Sequence, residues 1–181
     1  MIYYVRHGQT INNVEHIFYD DTTGPGLTDL GVQQATATAE QLKDIKFDIC
    51  YCSPKQRAVQ TMQIITQYHP NLPVVYDDRL VERDYGTALA GQPQTVLGQD
   101  LYDHRWHRDT VWPDSEVESL DAVYARVKSF FDAINDPTKN ILVVAHGGLY
   151  RLVHCYFHGF PTDGDLSRIG LANCGWAIFT K

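Results

Sequence analysis

The sequence predicts a three-layer α/β/α fold, with helices on both faces of a mostly parallel central sheet and one edge strand. Three observations lead there. Apolar runs of strand length recur at Ile2–Val5, Phe47–Cys52 (interrupted only by Asp48) and Ile141–Ala145. Stretches of helical periodicity separate them. Two of the runs stop abruptly at a histidine followed by glycine, His7-Gly8 and His146-Gly147. Apolar runs without alternation suit strands buried on both faces. Strands alternating with helices suit a parallel sheet.

Ile2–Val5 is the first strand and ends at Arg6-His7-Gly8. A polar, Gly- and Pro-containing stretch follows from Asn12 to Gly26. Thr28 is a suitable N-cap for a helix over about 29–43, with Val32, Ala35, Ala39 and Leu42 as its apolar stripe. Phe47–Cys52 is the second strand. Ser53 as cap and Pro54 at the first position begin a helix that runs to about Tyr68. Pro70 and Pro73 bracket its end, and Val74–Tyr76 is a short third strand. The segment 77–113 is irregular; a loop that long in a compact domain is usually functional. We read it as a cap or lid insert. Residues 114–135 form a helix, with Leu120, Val123, Val127, Phe130, Phe131 and Ile134 on its apolar side. Ile141–Ala145 is the fourth core strand, a helix follows to about His158, and residues 175–180 close the sheet as an edge strand. A chain of 181 residues suits one domain, 1–181, without internal repeats.

Composition narrows the function classes. The formal charge is −7 and no Lys/Arg-rich run occurs, which argues against nucleic acid as a partner. No apolar run approaches the ~20 residues that span a membrane. The opening MIYYVRHG lacks the basic and apolar regions of a signal peptide, so a cytoplasmic protein is expected. Cys50, Cys52, Cys155 and Cys174 fit no zinc-binding spacing and read as buried free thiols in a reducing compartment. No sequence feature specifies an oligomeric state.

In sheets of this kind ligands bind beyond the carboxyl ends of the strands. Three polar clusters fall there: Arg6-His7-Gly8, residues 53–57, and His146-Gly147. Taken singly, each histidine reads as a strand-end residue bonded to backbone, and Arg57 as a surface cation. Together they describe an anion site. Arg57 sits at the start of a helix, where the dipole disfavours a cation unless an anion is bound. The backbone N–H groups at Gly147 would point at such an anion. Glu82, just past the third strand, supplies a carboxyl that can donate a proton to a departing oxygen.

These residues belong to a longer pattern. Arg6-His7-Gly8-Gln9-Thr10 with Asn13 resembles the signature of the histidine phosphatase superfamily, the phosphoglycerate mutase-like enzymes. Leu27-Thr28-Asp29-Leu30-Gly31 continuing to Ala35, Ser53-Pro54-Lys55-Gln56-Arg57 continuing to Thr61, Glu82-Arg83-Asp84-Tyr85-Gly86 with Leu89-Ala90-Gly91, and Ala145-His146-Gly147-Gly148 with Arg151 resemble the later motifs in the family's order. The likeness covers nearly the whole chain. It implies a phosphoglycerate mutase-like fold and a phosphohistidine intermediate on His7. Arg6, Asn13, Arg57, His146 and Gly147 would bind phosphate or substrate. Glu82 would act as general acid and then base, with Asp84 a weaker candidate. His7 must attack as a neutral imidazole, one nitrogen free and the other held by a partner such as a backbone carbonyl. Two guanidiniums and a protonated His146 would offset charge on the equatorial oxygens, so no metal or other cofactor is expected.

The expected activity is hydrolysis of a small-molecule phosphate ester. Mutases of this family carry a longer insert and a longer tail over the site, and only Arg105 and Arg108 are partial candidates for a second anion subsite. The alternatives are phosphoglycerate mutase-type transfer and a non-catalytic phospho-ligand sensor. A cysteine phosphatase is excluded, because no Arg lies six residues after Cys50, Cys52 or Cys155. His154 and His158 have a metal-ligand spacing without a third ligand. The aromatic and cationic segment 104–112 suits a substrate lid. Tyr19-Asp20-Asp21-Thr22-Thr23 departs from the glycine-containing rim common in the family, which bears on substrate preference.

Overall fold

The structure, a computed structural model, describes residues 1–19, 24–134 and 136–180. Among them five strands form one sheet: β1 (Ile2–Arg6), β2 (Ile49–Cys52), β3 (Val74–Tyr76), β4 (Ile141–Ala145) and β5 (Trp176–Phe179). The order is β3-β2-β4-β1-β5. All pairs are parallel except β1 with β5, which makes β5 the antiparallel edge. The helices are α1 (Ile11–Glu15), α2 (Asp29–Leu42), α3 (Gln56–Thr66), α4 (Gly86–Leu89), α5 (Gly98–His104), α6 (Leu120–Ala133) and α7 (Gly147–His158).

The strand period of two builds the three layers. Tyr3 and Val5 of β1, Cys50 and Cys52 of β2, and Leu142 and Val144 of β4 pack with Ala39 and Leu42 of α2 and with Ala58, Met62 and Ile65 of α3. The alternate residues Ile2, Tyr4, Ile141, Val143 and Ala145 pack with Val123, Val127 and Phe130 of α6 and Leu149, Leu152 and Val153 of α7. Both faces of the inner strands are thus covered, which is why their runs lack alternation. All four cysteines are free and buried.

Several boundaries differ from expectation. The buried stripe of α2 is Gly31, Ala35, Thr38, Ala39 and Leu42, while Val32 is exposed. A glycine and a threonine replace the expected aliphatics because this helix packs on the turn after β1 and on the loop before β5, where Thr38 Oγ1 donates to Cys174 O at 2.8 Å. Ser53 is not the cap of α3: the helix begins at Gln56 with Lys55 as N-cap. The helix expected from 114 begins at Leu120, where the Ser119 side chain accepts from Ala122 N–H. Its expected last residue, Asn135, lies outside the described residues. The polar stretch after β1 contains α1, closed by a reciprocal Thr10–Asn13 capping box. The segment 77–113 is not irregular throughout. It holds a 3₁₀ turn at Asp78–Leu80, α4, a 3₁₀ turn at Gln94–Leu97, and α5. Phe18, Tyr85 and Val117 form a small separate core beneath it. No helix among the described residues is long and apolar enough to cross a membrane.

Candidate active site

Strand register brings the two histidines together. β1 and β4 are parallel neighbours, with Arg6 opposite Ala145. The next residues are therefore His7 and His146, and His7 N–H still donates to Ala145 O at 2.9 Å. β2 lies on the other side of β4 with Cys52 opposite Val144, so Ser53 also arrives at this corner. The His7 and His146 rings stand 5.2 Å apart, centroid to centroid. Arg57, from the first turn of α3, is buried beside them, its guanidinium 3.6 Å beneath the Tyr19 ring. Tyr19 also stands edge-on to His7 and hydrogen-bonds Thr10 Oγ1. His7, Arg57 and His146 are 1%, 1% and 0% exposed and pack as a buried cluster, the chamber, beside Tyr19.

The turn after β1 is shaped by close backbone approach. A Cβ on Gly8 would lie 2.6 Å from Gly31 O, and one on Gly31 would lie 2.2 Å from Gln9 O. The start of α2 therefore docks on the Gly8–Gln9 turn with no side chain between them. Gly8 N–H donates to Thr61 Oγ1 at 2.9 Å, which ties the turn to α3. Within it His7 Nδ1 lies 2.7 Å from Gly8 O. A carbonyl only accepts, so Nδ1 carries the proton and Nε2 keeps its lone pair. Burial, then the charges of Arg57 and Arg6, hold His7 well below the usual imidazole range. It stays neutral, as a nucleophile must.

His146 behaves likewise. Burial, then Arg57 and His7, push it well below the usual range. Without a bound anion a third cation beside two guanidiniums is disfavoured; the expectation of a protonated His146 concerns the phosphate-bound site. Its Nε2 lies 2.8 Å from Ser53 Oγ, and its Nδ1 is buried without a partner among the described residues.

The other expected residues surround this corner. Arg6 Nη1 donates to Leu171 O at 2.7 Å, while its buried Nε has no partner among the described residues. A Cβ on Gly147 would lie 2.7 Å from that Nε, so the absence of a side chain there lets the guanidinium lie against the first turn of α7. Asn13 Oδ1 accepts from Thr10 N–H and Asn173 Nδ2, both at 3.1 Å, which leaves the Asn13 amide N–H₂ as a donor. Glu82 Oε1 accepts from Arg83 N–H and Leu149 N–H, and Oε2 from Gly148 N–H, each at 2.9 Å. A carboxylate has about four acceptor positions, so one remains, on Oε2. Asp84 is exposed, its Oδ1 accepting from Gly86 N–H, and lines a second cavity with Tyr19, Arg57 and Glu82.

Four further positions shape the site without having been expected there. Gly148 is as constrained as Gly147: a Cβ there would lie 2.5 Å from Glu82 Oε1 and 2.7 Å from Trp106. The doubled glycine after His146 was the available signal. Arg126 of α6 staples the acid loop. It donates to Arg79 O and Val81 O at 2.8 Å and to Glu82 O at 3.2 Å, while Glu118 pairs with its far side. Arg83 is buried and donates to Glu118 O and Arg105 O, caged by Tyr85, Trp106 and Trp112. Ser53, expected as a helix cap, bonds His146 instead. Arg126 and Arg83 carried no local signal, since their carbonyl partners are set by tertiary packing.

A cavity of about 490 Å³ opens beside the chamber, lined among others by Arg6, Asn13, Glu82, Arg105, Trp106, Gly147 and Arg151. The segment 104–112 contributes only in part. Arg105 and Trp106 face the cavity, whereas Arg108 pairs with Asp121 at 2.6 Å and lies over Phe160. Arg151 Nη1 donates to Leu166 O, Ser167 O and Ile169 O and so holds the loop behind the cavity. The His154 and His158 rings are 4.5 Å apart, and no group of three or more metal-ligating side chains occurs among the described residues. Residues 20–23 of the departing rim lie outside the described residues.

The chain is similar to several known proteins. The family model described as "Histidine phosphatase superfamily (branch 1)" matches residues 2–180. Over 173 residues the chain is 34% identical to a 2,3-bisphosphoglycerate-dependent phosphoglycerate mutase of Methylobacterium sp. (strain 4-46), covering 87% of this chain and 80% of the mutase. Over 186 residues it is 36% identical to the uncharacterized phosphatase PhoE of Bacillus subtilis (strain 168), covering 96% of this chain and 90% of PhoE. The structure of a mycobacterial glucosyl-3-phosphoglycerate phosphatase in complex with VO3 superposes with a TM-score of 0.81 at 26% identity, covering 97% of this chain and 88% of that one.

Proposed function

The chain belongs to the histidine phosphatase superfamily, and on that premise we propose that it is a metal-independent phosphatase that hydrolyses small-molecule phosphomonoesters through a phosphohistidine on His7. The observation that carries this reading is the Nδ1 contact of His7 with Gly8 O, which leaves Nε2 as a free, neutral nucleophile inside a chamber that also holds Arg57 and His146. His7 Nε2 attacks phosphorus, and the bond to the ester oxygen breaks. Arg6, Arg57 and His146 hold the equatorial oxygens, with Asn13 and the Gly147 N–H as further donors. Preorganised charge of this kind is what phosphoryl transfer chiefly needs. Glu82 gives its proton to the departing alcohol from Oε2, the oxygen with an acceptor position to spare. It then takes a proton from the water that attacks the phosphohistidine, releasing inorganic phosphate and restoring His7.

A cavity of about 490 Å³ supports a small substrate, and the Arg105 and Arg151 walls favour a polar or anionic leaving group. The similarity to a phosphatase, PhoE, supports hydrolysis. The mutase similarity supports a second reading, phosphoryl exchange between phosphoglycerates.

The test is turnover of p-nitrophenyl phosphate in the presence of a chelator. Wild type should turn over and form an acid-labile phosphoenzyme, and His7→Ala should do neither. Equal rates for the two proteins would remove His7 from the reaction. Glu82→Gln should slow turnover by about 10²–10⁴ and more for poor leaving groups. Faster interconversion of phosphoglycerates than release of phosphate would select the mutase reading.

A further inference from the structure

Ser53 is fully buried, lies at the carboxyl end of β2, and takes no part in the reaction as drawn above. Its Oγ is 2.8 Å from His146 Nε2. We propose that Ser53 is a positioning residue that sets the tautomer of His146: its hydroxyl donates to Nε2, so the ring proton sits on Nδ1 and is offered to a phosphoryl oxygen as a neutral donor. This rests on the reading that a phosphoryl group binds in the chamber.

The proton assignment follows from what surrounds each atom. The Ser53 oxygen accepts from Lys55 N–H at 3.4 Å, so its hydrogen is free to be donated. Among the described residues Nε2 is the acceptor within reach. If the ring proton sat on Nε2 instead, the serine hydrogen would lose that acceptor, and Nδ1 would turn a lone pair toward an anion. Nδ1 is buried and has no partner among the described residues, and burying such an atom is costly unless a ligand completes it.

Double protonation of the ring is the other way to make Nδ1 a donor; the guanidiniums oppose it and a phosphate dianion favours it, so the NMR test includes that outcome. Among the described residues Arg6 approaches from β1, Arg57 from α3 and Arg126 from α6, with Glu82 bonded to the first turn of α7. Burial disfavours the imidazolium further. The backbone of His146 is already pinned, since Tyr4 Oη donates to its carbonyl at 2.7 Å and accepts its N–H at 3.2 Å. What Ser53 adds is the orientation and protonation of the ring. A hydroxyl is suited to this because it donates and accepts at one atom.

The test is ¹⁵N NMR of histidine-labelled protein saturated with inorganic phosphate, with the His146 signals assigned by their loss in His146→Gln. In wild type, His146 should carry its proton on Nδ1, with Nε2 unprotonated and hydrogen-bonded. Ser53→Ala should lose that tautomer and bind inorganic phosphate about tenfold more weakly. Ser53→Thr, which keeps the hydroxyl, should retain the tautomer. A wild-type proton on Nε2, or on both nitrogens, overturns the proposal. So does a Ser53→Ala protein with unchanged tautomer and unchanged phosphate affinity. Should Ser53→Ala fail to fold, the wild-type spectrum alone decides. Tautomer and phosphate binding are read without turnover, so a protein that shows both yet hydrolyses no ester would sink the phosphatase reading and leave this one standing.

Discussion

The chamber at the sheet edge and the insert from 77 to 113, with the segment that leads into α6, are built by opposite means. The chamber is made by backbone. The register of β1 against β4 aligns His7 with His146, and β2 brings Ser53 alongside. Glycines let Arg6 and Glu82 press against the first turn of α7. The insert is made by long side chains. Arg83 and Arg126 reach backbone carbonyls of distant segments, and aromatic rings enclose Arg83. Backbone register fixes atoms tightly, while arginine staples leave the enclosed loop free to differ in length and lining. In the proposed function the first region holds the transferred group and the second meets the rest of the substrate.

The sharpest way to break this division is to cut a charge from the chamber. Arg57→Met keeps bulk beneath Tyr19 and removes the guanidinium. We expect kcat/KM for p-nitrophenyl phosphate to fall by about 10²–10³, the cost of losing one preorganised donor to transition-state charge. Steady-state kinetics would check it, and a change under threefold would place the charge stabilisation elsewhere. Next in size is Gly148→Ala. Its methyl would meet Glu82 and Trp106, the one held by hydrogen bonds and the other buried. We expect roughly tenfold to 10²-fold lower kcat, because displacing a positioned group by a fraction of an ångström costs on this scale. Gly170→Ala, at the rim of the same cavity with nothing within 4 Å of its Cβ, is the control and should match wild type. Equal losses in the two variants would mean that steric fit at Gly148 has no part in aligning Glu82.

The same contrast decides how much of the molecule could be read from its residues. His7, Arg57 and His146 were recoverable because apolar strands end abruptly in polar residues, and a parallel sheet gathers such ends at one edge. Gly148 was available in the same way, as the second glycine after a strand-end histidine. Ser53 was misread because serine before proline is a common helix start, and only the position of β2 beside β4 reveals its partner. The downward shift of the His146 pKa comes from burial among cations, which has no local signature. The insert read as irregular because its short helices carry too few turns to show a period. Val32 was misplaced by the assumption that a buried stripe is aliphatic, when close approach to the Gly8–Gln9 turn requires the glycine at 31.

Within the insert, Arg83→Met tests whether the staples carry structure more than chemistry. It removes the bonds to Glu118 O and Arg105 O and the contacts with three rings, while methionine fills part of the volume. We expect a loss of about 1–3 kcal/mol in unfolding free energy, read from denaturant melts. The expected change in p-nitrophenyl phosphate turnover is smaller than for either chamber variant. A large fall in kcat with unchanged stability would reverse the division of labour.

The smallest expected effect concerns pH, and it separates the regions by stability alone. His7 is held below its usual range in the folded chain, whereas in the unfolded chain it takes up a proton near pH 6.5. Below that value the unfolded state binds more protons than the folded one, so unfolding free energy falls as pH falls and recovers as pH rises. The stabilisation is fully present above about pH 6.5 and is lost progressively on the acid side, at up to about 1.4 kcal/mol per pH unit for this one group. Carboxylates throughout the molecule, including those of the insert, also titrate as the solution is acidified, but they do so equally in wild type and in His7→Gln. The difference between the two stability–pH curves, measured without phosphate, therefore isolates the chamber. Wild type should fall more steeply than His7→Gln between pH 7 and pH 5. Parallel curves would mean that His7 charges freely in the folded protein, and a histidine that does so is not the sealed, neutral nucleophile on which the proposed chemistry depends.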